Sequence, residues 1–250
     1  LSSSSAASDV YKRQQQDNAA PEGLQVKDIG IRFGGVQAAQ NVSLHAPAGS
    51  ITSIIGPNGA GKTTVLNMIS GFYAPDSGSI ELGRPLAGLP AWKIARAGIA
   101  RTYQTTQLFG ELSVLENLLV AMQQGRLGLP LTCASETRRQ LALQLLTLVG
   151  YGGSVNTPAD DLAHVDRRLV EIARALSTCP RVLLLDEPAA GLSRSDTDRL
   201  AGLFSTLAVF GIAVILVEHD MGLVMAVSER LLVLDACLLY TSDAADEEDS

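Results

Sequence analysis

Gly56-Pro57-Asn58-Gly59-Ala60-Gly61-Lys62-Thr63-Thr64 decides the fold of this 250-residue chain. Gly56, Gly61, Lys62 and Thr63 fill the fixed positions of GxxxxGK[ST], the spacing of a phosphate-cradling loop. The flanks agree with it. Ser50-Ile51-Thr52-Ser53-Ile54-Ile55 is a short, β-branched run of the kind that forms a buried strand, and Thr63 to Ile69 reads as a helix opening on the loop. Glycines let backbone N–H groups turn inward around a phosphate, and the helix N-terminus adds positive potential. Lys62 brings a point charge to the β- and γ-phosphates and Thr63 a hydroxyl to Mg²⁺, while Pro57, Asn58, Gly59, Ala60 and Thr64 complete the cradle. A plain Gly-rich turn is the competing reading, but such a match arises by chance in roughly one chain in a hundred of this length. The segment predicts a nucleoside-triphosphate site.

Outward from the loop, residues 24–48 alternate in a strand-like way (Leu24, Val26, Ile29, Ile31, then Val42, Leu44) around a Gly34-Gly35 turn. That is a β-rich entry layer. Pro75-Asp76-Ser77-Gly78 is a turn leading to a strand over 79–82. From about 112 to 178 the pattern is mainly helical. Leu141, Ala142, Leu145, Leu146 and Leu148 share one apolar face, and Leu169, Ile172, Ala173 and Leu176 another. The runs 181–186 and 212–217 are continuously apolar, as central parallel strands are. Strands alternating with helices predict an α/β domain with a mainly parallel central sheet and an inserted helical subdomain at about 104–178.

The two ends read differently. Ala6 to Gln14 resembles a translated sequencing adaptor, and Cys237 to Glu247 the same adaptor on its reverse strand. Val10-Tyr11-Lys12-Arg13-Gln14 written GTGTATAAGAGACAG has a reverse complement that, read one base in, gives Cys-Leu-Leu-Tyr-Thr, the residues at 237–241. We expect 1–14 and 237–250 to be adaptor-derived and without structure, and residues 15–236 to be a domain truncated at its C-terminus within a longer gene. Without those ends, which hold Asp9, Lys12, Arg13, Asp243, Asp246, Glu247, Glu248 and Asp249, the formal net charge moves from −7 to −3. No basic patch points to nucleic acid. Cys133 and Cys179 show no CxxC or Cys/His spacing, which suits a reducing cytosol rather than a disulfide scaffold or a zinc site. The longest apolar candidate, Leu207 to Val217, is broken by Gly211 and falls short of a membrane span.

A second set of groups completes the chemistry. Leu183-Leu184-Leu185-Asp186-Glu187-Pro188 ends a buried strand in two acids. Downstream of a phosphate loop, the first holds Mg²⁺ through water and the second orients the attacking water. A solvated turn is the plainer reading of the pair taken alone. His219, in Val217-Glu218-His219-Asp220, ends another central strand on the sheet edge where ligands gather.

With these marks in order, residues 24–236 resemble the ATP-binding-cassette (ABC) ATPases, P-loop enzymes. The resemblance implies ATP and Mg²⁺ as cofactors and roles for further residues. Gln104, in Arg101-Thr102-Tyr103-Gln104, matches the glutamine that contacts Mg²⁺ and water and senses the membrane subunit. Phe33 matches the aromatic that stacks on adenine, and Ala190-Gly191-Leu192-Ser193 the loop that crosses to a partner cassette. His219 matches the histidine at the γ-phosphate, and Glu187 the catalytic acid. Phe33-Gly34-Gly35, Gly71-Phe72 and Pro188 to Leu192 look most like the branched-chain amino acid importer branch, with the lipopolysaccharide exporters close by.

One motif departs. Where the family carries LSGGQ or a variant, this chain reads Leu162-Ala163-His164-Val165-Asp166. Ala163 has no hydroxyl for the partner's γ-phosphate, and Val165 replaces a glycine, where a positive φ would strain a β-branched residue. A helix over 166–177 would still direct its dipole there. The resemblance implies a head-to-tail pair of cassettes, identical or not, working a separate transmembrane permease from the cytoplasmic face of the membrane. The permease would dock on the helical arm near Leu108-Phe109. Uptake of branched-chain or related amino acids is the expected task. Lipid or lipopolysaccharide export and a non-transport ATPase are the rivals, the last calling for a second cassette, a coiled-coil insertion or basic surfaces.

Overall fold

The computed structural model describes residues 23–122, 136–235 and 238–243, the last six by backbone alone. Its heart is a six-stranded sheet in the order β5-β6-β7-β3-β8-β9, built from β3 (Ile51–Ile55), β5 (Ile99–Arg101), β6 (Val182–Asp186), β7 (Ala213–Val217), β8 (Arg230–Asp235) and β9 (Leu238–Asp243). The first five run parallel. β3 sits between β7 and β8, with Ile51 opposite Val214 and Ile54 opposite Val217 and Leu232. β6 and β7 are buried at all five positions each, which is why their sequences are unbroken apolar runs rather than alternating ones.

Alternation reappears in which core each residue enters. Leu183, Leu185, Val214 and Leu216 pack with the helices, whereas Val182, Leu184, Ala213, Ile215 and Val217 pack with the antiparallel layer. That layer is a second sheet, in the order β2-β1-β4, from β1 (Leu24–Phe33), β2 (Val36–Ala46) and β4 (Ser77–Glu81). It shares its core with α1 (Lys62–Ile69) through Val65, Leu66 and Ile69. On the other face lie α3 (Val114–Ala121), α4 (Glu136–Leu148), α5 (His164–Leu176), α6 (Arg194–Val209) and α7 (Met221–Val227), while α2 (Ala91–Arg96) leads into β5. α3, α4 and α5 are the helical subdomain.

Three expectations change. β4 begins at Ser77, inside the expected turn over 75–78, because Ser77 pairs with Gly30 of β1. α5 begins at His164, two residues before its expected start, because Ala163 already has the extended backbone of an N-cap (φ −61°, ψ 157°). Residues 238–243, expected to lack structure, form β9, antiparallel to β8 with Leu232 opposite Thr241. Leu238-Leu239-Tyr240-Thr241 carries the apolar and β-branched content that suits a sheet edge. The expectations for 1–14, 237 and 244–250, and Cys133, lie outside the described residues.

Candidate functional site

The loop over 56–61 leaves the tip of β3 and enters α1, as its pattern predicts. A Cβ on Gly56 would stand 2.1 Å from the Leu234 carbonyl oxygen, and one on Gly61 2.5 Å from that of Ala38. No side chain fits at either end, and Gly61 also holds a left-handed φ of 93°. α1 opens without a side-chain cap and without an acid in its first turn. α3 is capped by Ser113 with Glu116, α6 by Ser193 and α7 by Asp220. At α1 the first N–H groups face no protein oxygen of that kind, the condition for receiving an anion. Lys62 is 6% exposed, and its Nζ donates to the carbonyls of Gly56 (2.6 Å) and Pro57 (2.9 Å). Burial lowers its pKa, and the charges of Glu187 and Asp186 oppose that shift. Thr63 is exposed and Thr64 half-buried at the head of the helix.

Beside the loop, the tips of β6 and β7 bring the predicted acids and histidine together. Glu187 holds a left-handed φ of 48°, a strained state for a side-chain-bearing residue, and its N–H donates to Val217 O at 2.9 Å. That turn aims its carboxylate at two partners. Gln104 Nε2 donates to Oε2 at 2.8 Å, and His219 Nε2 lies 3.0 Å from Oε1. Glu187, Gln104 and His219 thus meet from positions far apart in sequence. Asp186 is 3% exposed and accepts from Arg101 at 2.8 Å. Arg101 also donates to Asn67 (2.6 Å) and Ser70 (3.1 Å), so one guanidinium ties the strand tip to α1.

Among the described residues no cluster of three His, Cys, Asp or Glu side chains could hold a metal. The expected donors, the Thr63 hydroxyl, the Asp186 carboxylate and the Gln104 amide oxygen, are hard oxygens of the type that Mg²⁺ takes in small number beside water and phosphate, with Asp186 engaged here by Arg101.

The remaining expected residues are placed as follows. Phe33, at the end of β1, is 44% exposed and meets Tyr73 edge-on at 5.0 Å, so the aromatic corner has two rings where sequence reading found one. Leu162, Ala163, His164, Val165 and Asp166 start α5. Val165 lies inside its first turn and is not among the residues with positive φ, so the backbone-strain objection to it falls. What remains is the bulk of its side chain. His164 Nε2 lies 3.1 Å from the Ala190 carbonyl of its own chain. Ser193 Oγ accepts from Asp196 N–H at 3.2 Å as a helix cap, which ties down one member of the 190–193 loop, while Gly191 turns at φ 74°. Leu108 packs partly into the helical core, and Phe109, 52% exposed, lies under Arg174.

Three buried charged groups escaped sequence reading. Arg168 and Glu171, each 1% exposed, pair at 3.0 Å. Arg168 donates to the carbonyls of Tyr103 (2.7 Å) and Gln104 (2.9 Å), and Glu171 accepts from the N–H groups of Tyr103 and Gln107 (3.3 Å each). The pair clamps the Gln104 loop to α5. Burial raises the Glu171 pKa, opposed by Arg168. Glu218 is the third, 3% exposed, and burial raises its pKa as well. The signal available was a charge placed on an apolar helix face or at a strand tip.

Comparison with known proteins supplies the family. Residues 39–190 match the family described as ABC transporter. The branched-chain amino acid transport ATP-binding protein BraF of Pseudomonas aeruginosa is 42% identical over 223 residues, 85% of this chain and 88% of its own. LivG of Salmonella typhimurium, of the same description, is 44% identical over the same shares. Among solved structures, the ADP conformation of MJ1267, an ATP-binding cassette of an ABC transporter, superposes with a TM-score of 0.81 at 29% identity, covering 91% of this chain and 93% of the other. The dimeric cassette MJ0796 does so with 0.77 at 25% identity, covering 88% and 98%. The chain belongs to the ABC transporter family, as an ATP-binding cassette.

Proposed function

We propose that this chain binds and hydrolyses ATP to power uptake of branched-chain or related amino acids through a separate permease. The observation that carries hydrolysis is the Glu187 carboxylate held between Gln104 and His219, on the sheet edge where the phosphate loop opens. Lys62, the loop amides and the bare start of α1 bind the phosphates. Thr63, Asp186 and Gln104 would hold Mg²⁺, which would supply neutralisation of the charge that develops on the phosphates. Glu187 accepts a proton from water and aims it, and His219 Nε2 fixes the orientation of that carboxylate. Phe33, with Tyr73 edge-on beside it, would stack on the adenine.

Two such chains, or this one and a sibling cassette, would pair head to tail, each N-terminus of α5 and each 190–193 loop facing the other's nucleotide. The dimeric relative supports that arrangement. No helix among the described residues is long and apolar enough to cross a membrane. As a transporter cassette, the chain would be held by the permease at the cytoplasmic face. A cavity of about 350 Å³ lined by Phe72, Trp92, Tyr103, Glu171 and Arg174 is the favoured seat for it. It adjoins the Gln104 loop, and Phe72 and Trp92 are each 56% exposed. The amino acid class rests on the relatives alone.

Reconstitution with a branched-chain permease and its binding protein in vesicles tests the whole reading. Leucine uptake driven by internal Mg-ATP and lost with Glu187→Gln is expected. ATP hydrolysis without any amino acid uptake would reject the substrate class and keep the enzyme.

A further inference from the structure

Glu218 lies between the two loops that carry His219 and Ala190, and nothing in the chemistry above uses it. It follows β7 directly and is almost fully buried. Its Oε1 accepts the Ala189 N–H at 2.7 Å and its Oε2 the His219 N–H at 3.1 Å. Both oxygens accept backbone N–H groups, a role that an ionised carboxylate fills with no donor of its own. Burial and the charge of Glu187 push its pKa up, while the N–H groups of Ala189, His219 and Asp220 pull it down. A buried ion kept against that desolvation is an expensive way to fill space, and an apolar residue would fill it with less cost.

The two amides it joins belong to different functional loops. On one side, Ala190 N–H donates to Glu187 O at 3.2 Å, and the Ala190 carbonyl meets His164 of α5. On the other, the His219 ring reaches the Glu187 carboxylate. The loop at 189–190 is thereby pinned from the sheet by Glu218 and from the helical subdomain by His164.

We infer that Glu218 is a positioning residue for ATP hydrolysis: its carboxylate fixes the 189–190 backbone and the His219 backbone in one frame, so that the His219 ring meets Glu187 in register. The inference rests on the hydrolytic reading of Glu187 above.

Glu218→Gln keeps the volume and one acceptor but turns an NH₂ toward one of the two backbone donors. In single-turnover assays with the full chain and Mg-ATP we expect a rate loss of about tenfold or more, with ATP affinity held within about threefold. The decisive measurement is the same change made in a His219→Ala background. If Glu218 acts through His219, the second loss shrinks to less than about threefold. Equal losses in both backgrounds, or no loss in the first, would overturn the inference. Glu218→Asp, which keeps the charge but shortens the reach, carries the same cycle if the glutamine variant fails to fold, and additive behaviour there is equally fatal. A wild-type chain that binds ATP without hydrolysing it, both alone and paired with a sibling cassette, would instead refute the hydrolytic reading itself.

Discussion

The N-terminus of α1 follows Gly61 and carries Lys62, while that of α5 follows Ala163 and carries His164, Val165 and Asp166. Neither helix is closed by a side-chain cap, and both direct a positive dipole end outward. The surroundings differ. At the α1 end the loop and the first turn favour an anion: glycines too crowded for a Cβ, a buried lysine, and no acid in the first turn, with Asp186 and Glu187 facing Lys62 from the tip of β6. Around α5 an acid stands in the first turn, a branched side chain lies beside it, and the one ring that could contact a phosphate bonds to Ala190. A helix N-terminus is therefore only permissive, and the residues of its first turn decide whether an anion is welcome. In the proposed dimer, this chain would hold its own ATP well and complete its partner's site poorly.

The largest effect belongs to the α1 end. Lys62→Ala should abolish ATP binding measurable by calorimetry, since it leaves the phosphates only backbone donors. Wild-type affinity in that variant would erase the contrast between the two ends. Next comes Glu187→Gln, expected to keep ATP affinity and lower turnover by about 10²–10³, since the amide can no longer accept a proton. Turnover near wild type would shift the base role to His219, the other group at that carboxylate.

The α1 end was legible because its chemistry is local. Nine consecutive residues hold the loop, and the flanking strand and helix announce themselves by composition. β6 and β7 were legible for the same reason, as unbroken apolar runs. The links between elements were not. Arg101 reaches Asp186 across the sheet, Glu218 reaches Ala189 from the neighbouring strand tip, and Arg168 reaches the Gln104 loop from α5. Each pairs a charge with a partner that only the fold brings near, and no periodicity marks it. The start of α5 is not legible because Ala163 is a poor N-cap type, so its extended backbone has no sequence sign. β9 is obscured in the sequence because its strand-like composition coincides with a resemblance to adaptor sequence.

At the α5 end, Val165→Gly should raise turnover of the homodimer by about tenfold, part of the 2–4 kcal/mol that one well-placed donor contributes to a transition state. The gain comes from removing bulk, because the backbone at this position is already helical. A cost of up to about 1 kcal/mol in helix stability accompanies it and shows as a lower melting temperature. Steady-state hydrolysis by the purified chain measures the gain. An unchanged rate would mean that side-chain bulk at 165 does not limit the partner's nucleotide.

Asp166→Gln should have the smallest effect and the most diagnostic one. In the first turn of α5 the carboxylate interacts favourably with the helix dipole, by about 0.3–1 kcal/mol at an exposed site, so its removal slightly weakens the helix. The same charge repels a phosphate approaching that N-terminus, so its removal should speed turnover by about two- to fivefold at low salt. Because Asp166 is only half-buried, mobile ions screen that repulsion. The gain should therefore fall toward unity as ionic strength rises past the point where the Debye length drops to about 3 Å, near 1 M. Turnover of the wild type and the variant across a salt series reads both halves at once. A gain that persists undiminished at high salt would show that the glutamine contributes a new contact, and a loss at every salt concentration would show that the acid helps the site. In either case the two helix ends would differ by geometry rather than by charge.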